Sequence, residues 1–161
     1  DEDGILYKDN DERAIFFAKG VVETVKKLNW VPDIIHVHGW MASILPIYLK
    51  HYYKDEALFS DTKVVISVYG QSFDGTLNNE MINKISFDNI PLDAIKELES
   101  PTYENIIKSA INNSDAVIVA SSSISSSLTK FIETSGKPFL PFTPKEQFAN
   151  AYTEFYKKMI S

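Results

Sequence analysis

PDIIHVHGWMASILPIYL, residues 32–49, sets a short β-branched run directly against an apolar helical one, with His-Val-His-Gly-Trp at the junction. Pro32-Asp33 breaks the preceding segment, Ile34 to His38 reads as a strand, and Gly39 permits a sharp turn into a helix from about Trp40 to Tyr52. Such a strand delivers imidazoles to its C-terminal tip, the edge where open parallel sheets bind ligands. Side chains alternate along a strand, so His36 and His38 share one face, and Ile35 and Val37 take the other.

Working outward, a helix is expected from Glu12 to Leu28, capped by Asn10 or Asp11, with a stripe of Phe17, Val21, Val25 and Leu28 flanked by Ala18 and Val22. Before it, DEDGILYKDND is acidic and turn-like. An α/β domain usually opens with a strand, so residue 1 is expected to fall inside a domain. KVVISVYG, Lys63 to Gly70, is a second strand, nearly continuous in β-branched residues as a strand covered on both faces should be. The loop-rich GQSFDGTLNNEMINKISFDNIPLD follows, then a helix from Thr102 to Asn112 burying Tyr103, Ile106, Ile107, Ala110 and Ile111. Asp115 to Ser122 is the third strand, and a helix carrying Ile124, Leu128, Phe131 and Ile132 comes after it. KPFLPF is extended and punctuated by proline. A terminal helix over 144–160 opens on Thr143-Pro144-Lys145-Glu146, a capping box, and its stripe of Phe148, Ala151, Tyr152, Phe155, Tyr156 and Met159 must pack on something.

Alternating helices and β-branched strands define an α/β fold: a Rossmann-like parallel sheet with helices on both faces. The 161 residues suit one domain, with helix 144–160 packing back on it. The three strands visible are few for a sheet, so further strands are expected from a missing N-terminal half or from a second chain.

Composition narrows the chemistry. At 44% hydrophobic and 24% charged the chain can build a core, and with net charge −6 and no run of basic residues beyond a pair it has no nucleic-acid footprint. The absence of cysteine excludes disulfides and thiolate metal sites. No apolar run approaches the ~18 residues a membrane span needs, and no signal peptide is evident, so the simplest compartment is the cytoplasm.

Three strand ends should line one edge: His38-Gly39-Trp40, Tyr69-Gly70-Gln71-Ser72 and Ala120-Ser121-Ser122-Ser123. At the tip, His38 either handles a ligand or proton or is a satisfied, half-buried histidine; His36, one step inside, reads as core. A His-x-His metal pair lacks a third ligand, because His51 lies far off and no carboxylate is well spaced, so no metal and no cofactor are expected. Gly70 and Gly75 bracket a loop that either brings N–H groups toward a sugar or phosphate or is a plain turn. Trp40, Tyr69 and Phe73 can stack on sugar rings. Ser121–Ser123 either present hydroxyls to an anion, or Ser122 or Ser123 caps the next helix. Asp11, Glu12, Asp55, Glu56, Glu97 and Glu99 read as solvated charges.

Residues 9–49, KVVISVYGQSFDGTL and the segment around TYENIIKSAINNSDAVIVASSSIS together resemble bacterial glycogen synthases and plant starch synthases, retaining glucosyltransferases that use ADP-glucose. Their order is similar to the second half of that family's N-terminal domain. The resemblance implies a GT-B architecture of two Rossmann-like domains, with ADP-glucose and an α-1,4-glucan as partners. It implies that His38 is the catalytic strand-tip histidine contacting the transferring glucose, with Gly39, Trp40, Tyr69, Gln71, Phe73, Gly75 and Ser121 binding substrate. The chain also departs from the family pattern. His38-Gly39-Trp40-Met41 stands where the family reads His-Asp-Trp-His, and Val68-Tyr69-Gly70 stands where it reads Val-His-Asn. The family's Lys-Gly-Gly phosphate loop would precede Asp1, and its second domain, with most of the nucleotide site, would follow Ser161. The amphipathic terminal helix reads as a natural end. The chain is therefore expected either to serve as part of a glucosyltransferase and be inactive alone, or to be a non-catalytic glucan- or sugar-nucleotide-binding module. A third reading, an unrelated Rossmann-like nucleotide binder, is weakened by the lack of a glycine fingerprint.

Overall fold

The computed structural model describes residues 6–161. The expected acidic turn at the start of the chain falls partly outside them. Helix α1 (Asn10–Lys27) leads into strand β1 (Ile34–His38). A broken helical connection leads to β2 (Lys63–Val68), followed by α3 (Met81–Ser86), α4 (Tyr103–Asn112), β3 (Ala116–Val119), α5 (Ser126–Thr134), β4 (Phe139–Leu140) and α6 (Phe148–Ile160). The four strands are all parallel, in the order β1-β2-β3-β4.

Consecutive order has a consequence. Right-handed crossovers between successive neighbours put every connecting helix on the same side. Ile35, Val37, Val64, Ile66, Val68 and Val117 accordingly face the main helical layer. The other face, with Ile34, Val65, Ala116, Ile118 and Leu140, is covered by α6 through Tyr152, Phe155, Tyr156 and Met159. Helices therefore lie on both faces of the sheet.

Several local expectations change. KPFLPF supplies a fourth strand: Phe139 and Leu140 pair with Val117 and Ile118, and Pro138 and Pro141 hold it to two residues at the sheet edge, where a missing N–H is tolerated. The helix expected over Trp40–Tyr52 is three pieces: a 3₁₀ turn (Trp40–Ala42), α2 (Leu45–Ile47) and a π turn (Tyr48–Tyr52). Pro46, with no N–H to donate, sits in the first turn of the second piece, where that N–H would have no partner. Helix α6 begins at Phe148, because Thr143 turns its hydroxyl to the Pro141 carbonyl and leaves the capping box unmade.

Helix α1 also differs from its predicted stripe. Ala14, Ala18 and Val22 are the buried positions, small enough to bring the helix close, while Phe17 is exposed and Leu28 is 67% exposed. The helix starts a residue before Asp11, so neither Asn10 nor Asp11 caps it. Asp9 stands at the N-cap and pairs with Arg13. The Asp11 carboxylate is fully buried and held by Lys84 of α3 at 2.6 Å, and Glu12 joins the same lysine at 2.7 Å. Glu56 pairs with Lys26, and Glu97 accepts from Asn112. These acids tie elements together, where the sequence suggested solvated charges. At its C-terminus α1 closes with Asn29 at φ 48°, its N–H on the Lys26 carbonyl and that of Trp30 on Val25, a Schellman motif.

Two surfaces of this side are open. Among the described residues β1 pairs only with β2. Beside that edge, Phe16 (80% exposed), Phe17, Leu28, Trp30 (60% exposed) and Met41 line an apolar groove of about 810 Å³.

Candidate active site at the strand tips

The strands end as the sequence places them, and their C-terminal tips form one rim. His38 is exposed at the end of β1, and its Nδ1 is hydrogen-bonded to the Tyr69 hydroxyl just beyond β2 at 2.8 Å. His36 stacks behind it, ring centroids 3.9 Å apart. Its Nε2 is bonded to Ser67 Oγ at 2.8 Å, and its Nδ1 to the Tyr156 hydroxyl of α6. His36 is thus a satisfied core histidine. Burial, and then the neighbouring His38, push its pKa down to about 4. Burial also lowers that of His38. Both imidazoles are therefore neutral near pH 7, and a neutral His38 can accept or donate one proton at the rim. With both nitrogens of His36 engaged by hydroxyls, the pair offers no metal chelate. Among the described residues no group of three His, Asp or Glu side chains converges to hold an ion.

Gly39 follows at φ 74°, ψ 160°, a conformation essentially reserved to glycine, which turns the chain off the sheet. Ser43 Oγ donates back to its carbonyl at 3.0 Å. Trp40 is half-buried rather than presented. It lies edge-on to Phe73, 5.1 Å between centroids, and joins the two halves of the core. Phe73 in turn stands perpendicular to Tyr103 at 5.8 Å, whose hydroxyl donates to the Tyr69 carbonyl.

Around Tyr69, Gly70 and Phe73 opens a cleft of about 420 Å³. Gly70 is required here by contact: a Cβ would stand 1.9 Å from the Ser123 carbonyl oxygen, so the β2 and β3 tips approach as closely as a hydrogen allows. Ser121 Oγ lies beside Gly70 and accepts from the Ser123 N–H, but opens into a separate shallow pocket toward Phe139 and Phe142. Gln71 is exposed on the loop above, and Gly75, at φ 77°, turns that loop. The helix after β3 is capped by Ser125, whose side chain accepts from the Leu128 N–H; Ser122 and Ser123 do not cap it.

The rest of the cleft comes from residues the sequence did not single out for chemistry: Ser72, Thr102, Glu104, Asn105 and Ser125. One signal was available. A helix that returns from one parallel strand to the next runs against them, so its N-terminus must lie at the strand-tip edge. Thr102–Asn105 and Ser125 are those N-termini. Glu104 accepts from Ser127 and, at 2.7 Å, from Lys108, and that hydrogen bond to Lys108 lowers its pKa below the ordinary carboxylate range.

A parallel α/β sheet with an imidazole and a cleft at its strand tips defines a Rossmann-like domain with a ligand-binding edge. Comparison with known proteins gives the family. Residues 1–136 match the starch synthase catalytic domain, and the chain belongs to that family. It is 44% identical to the glycogen synthase of Chlorobium limicola over 78 residues, 48% of this chain and 16% of that protein. It is 39% identical to that of Elusimicrobium minutum over 84 residues, 52% and 17%. With the Chlorobium luteolum enzyme it shares 34% over 115 residues, 71% and 23%. The matched segment therefore spans less than a quarter of the length of these relatives. Among the described residues no helix is long and apolar enough to cross a membrane.

Proposed function

We propose that these 161 residues form a single Rossmann-like unit of a glycogen/starch-synthase-type glucosyltransferase of GT-B architecture. Such an enzyme moves glucose from ADP-glucose to the non-reducing end of an α-1,4-glucan. The observation that carries the reading is His38, a neutral imidazole at the tip of β1 braced by Tyr69, which itself lines a cleft of ligand size. In this reading His38 contacts the transferring glucose, and Gly39, Tyr69, Gln71, Phe73, Gly75 and Ser121 shape its surroundings. Trp40 acts through Phe73, against which it packs.

The same site limits what the chain does alone. Stabilising a departing diphosphate is an electrostatic task. Lys108, the cation next to the cleft, is already held by Glu104 and Ser127. The chain by itself is accordingly inactive and needs groups from elsewhere. The open edge of β1 and the apolar groove beside it support a further strand and helix that complete the sheet, since a half-paired edge flanked by exposed Phe16 and Trp30 is the ordinary anatomy of an interrupted α/β layer.

The test is transfer of radiolabelled glucose from ADP-glucose onto glycogen. It compares the 161-residue chain with a chimera in which the matching segment of the Chlorobium limicola enzyme is replaced by this one. The chain alone gives no incorporation, and the chimera incorporates label and loses it with His38→Asn. A folded but inactive chimera, or an unchanged His38→Asn chimera, overturns the reading. The second reading, a binding module without catalysis, is favoured by Gly39, Met41, Tyr69 and Gly70 in place of the family's carboxylate, imidazoles and amide. It predicts that calorimetry registers maltooligosaccharides or ADP-glucose while the chimera stays inactive.

A further inference from the structure

The two histidines of β1 meet two hydroxyls of β2 and its extension at a repeated offset. His36 pairs in register with Val65, and His38 with Ser67. Each ring nevertheless reaches the residue two places ahead: His36 Nε2 meets Ser67 Oγ, and His38 Nδ1 meets the Tyr69 hydroxyl, both at 2.8 Å. Residues two apart on a strand share a face, so both pairs lie on the side of the sheet that α6 covers. The inner pair is closed by α6, whose Tyr156 hydroxyl takes the second nitrogen of His36. The outer pair is left open. The His38 ring is exposed at the rim, and among the described residues its Nε2 has no hydrogen-bond partner.

A neutral imidazole carries one proton, and the nitrogen that holds it is set by the hydrogen bond the other one makes. A phenol hydroxyl is a good donor, and an unprotonated imidazole nitrogen is a good acceptor. The Tyr69 hydroxyl has no other acceptor among the described residues, so it donates to His38 Nδ1 and leaves the ring proton on Nε2. A carboxylate partner, which would favour the imidazolium and make the ring a base, is missing. The groups that face the two imidazoles are Ser67 and Tyr69 on one side and Tyr152 and Tyr156 of α6 on the other, all of them uncharged hydroxyls. Tyr69 is itself held in place. Its carbonyl accepts from the Tyr103 hydroxyl at 2.9 Å, and the next residue, Gly70, is wedged against the Ser123 carbonyl. The phenol is therefore positioned before any ligand arrives.

We infer that Tyr69 is a positioning residue that fixes His38 in its Nε2–H tautomer, so that the rim presents a hydrogen-bond donor to an acceptor oxygen of the sugar and not a general base. The inference rests on the transferase reading for the identity of that ligand. The device belongs to this chain, in which Val68-Tyr69-Gly70 stands in place of the family's Val-His-Asn.

Nitrogen-15 NMR of the imidazole rings in the folded 161-residue chain at pH 7 tests it, because protonated and unprotonated ring nitrogens resonate far apart. The His38 signals, identified by their loss in His38→Asn, should show a protonated Nε2 and an unprotonated Nδ1. Tyr69→Phe keeps the ring and removes the donor. It should lower the ratio of the Nε2–H to the Nδ1–H form by about 2–10-fold, the worth of one net hydrogen bond. The His36 signals and the thermal melt should stay near those of the parent. In the chimera with the Chlorobium limicola enzyme, Tyr69→Phe should slow glucose transfer by a similar factor. A proton on Nδ1 of His38, an even mixture of tautomers, or a ratio that Tyr69→Phe leaves unchanged overturns the inference while the transferase reading stands. An active chimera that keeps its full rate with Tyr69→Phe overturns the positioning role. An inactive chimera overturns the transferase reading, and the spectra then decide the tautomer by themselves.

Discussion

Acidification should destabilise this fold through His36, and the size of the effect can be worked from its surroundings. The imidazole sits beneath α6, with the Ser67 hydroxyl on one nitrogen and the Tyr156 hydroxyl on the other. Its ring neighbours are His38 on β1 and Tyr152 and Tyr156 of α6. None of these contacts is a carboxylate, so nothing nearby favours the cation, and burial lowers the pKa from 6.5 to about 4. An unfolded chain therefore binds a proton to this group between about pH 6.5 and 4 that the folded chain refuses. Stability rises with pH across that window and falls as pH drops through it. At about 1.4 kcal/mol per unit the full difference is near 3 kcal/mol, and the partial exposure of the ring brings it to roughly 2. For a chain of this size that is a fall of about 4–8 °C in melting temperature. The measurement is a series of circular-dichroism melts from pH 7 to 4 on the parent and on His36→Gln, which keeps polar groups at the site but cannot titrate there. The parent should lose roughly 2 kcal/mol more than the variant. Carboxylates held low by their partners, such as Glu104, are common to both and cancel. Parallel loss in the two proteins, or a gain for the parent on acidification, would refute the reasoning.

Other predictions concern glycines and one ion pair. Added side chains at Gly20 and Gly39 meet nothing within 4 Å, yet the outcomes should be opposite. Gly20→Ala in the middle of α1 should raise stability by about 0.5–1 kcal/mol, whereas Gly39→Ala, forced to φ 74°, should cost about 1–3 kcal/mol; urea denaturation reads both, and a like sign for the two would sink the argument. Gly70→Ala should shift the amides of Ser121 to Ile124 in NMR spectra, because its Cβ and the Ser123 carbonyl cannot both keep their places; an unchanged spectrum there would contradict the close approach. Lys84→Met strands the buried Asp11 carboxylate and should cost about 3 kcal/mol or more at pH 7, with Asp11→Asn in the same chain recovering part of it in equilibrium unfolding.

The alternation of β-branched runs and amphipathic helices was enough to specify a parallel α/β sheet, because burial on both faces leaves a pattern in the strands themselves. Ile34–His38 appears as read, and the helix expected over Thr102–Asn112 spans Tyr103–Asn112 with Thr102 as its cap. Elements whose formation depends on a neighbour were not legible in this way. Phe139–Leu140 is a strand only because β3 offers an edge, and its two prolines argue locally against one. Helix α1 shows its larger apolar residues outward, since closeness to the sheet selected Ala14 and Ala18 for burial, a choice periodicity alone does not make.

At the site the division is similar. The sequence by itself determined the strand-tip histidine, its shared face with His36, the glycine that turns the chain, and the family, because these are local in the chain. Tertiary structure decided that Tyr69 braces His38, that Trp40 supports Phe73, that Ser121 opens away from the cleft, and that Glu104 and Asn105 belong to it. Those facts depend on where α4 and α5 begin relative to the sheet, and on a contact at Gly70 that only the packed β2 and β3 tips create.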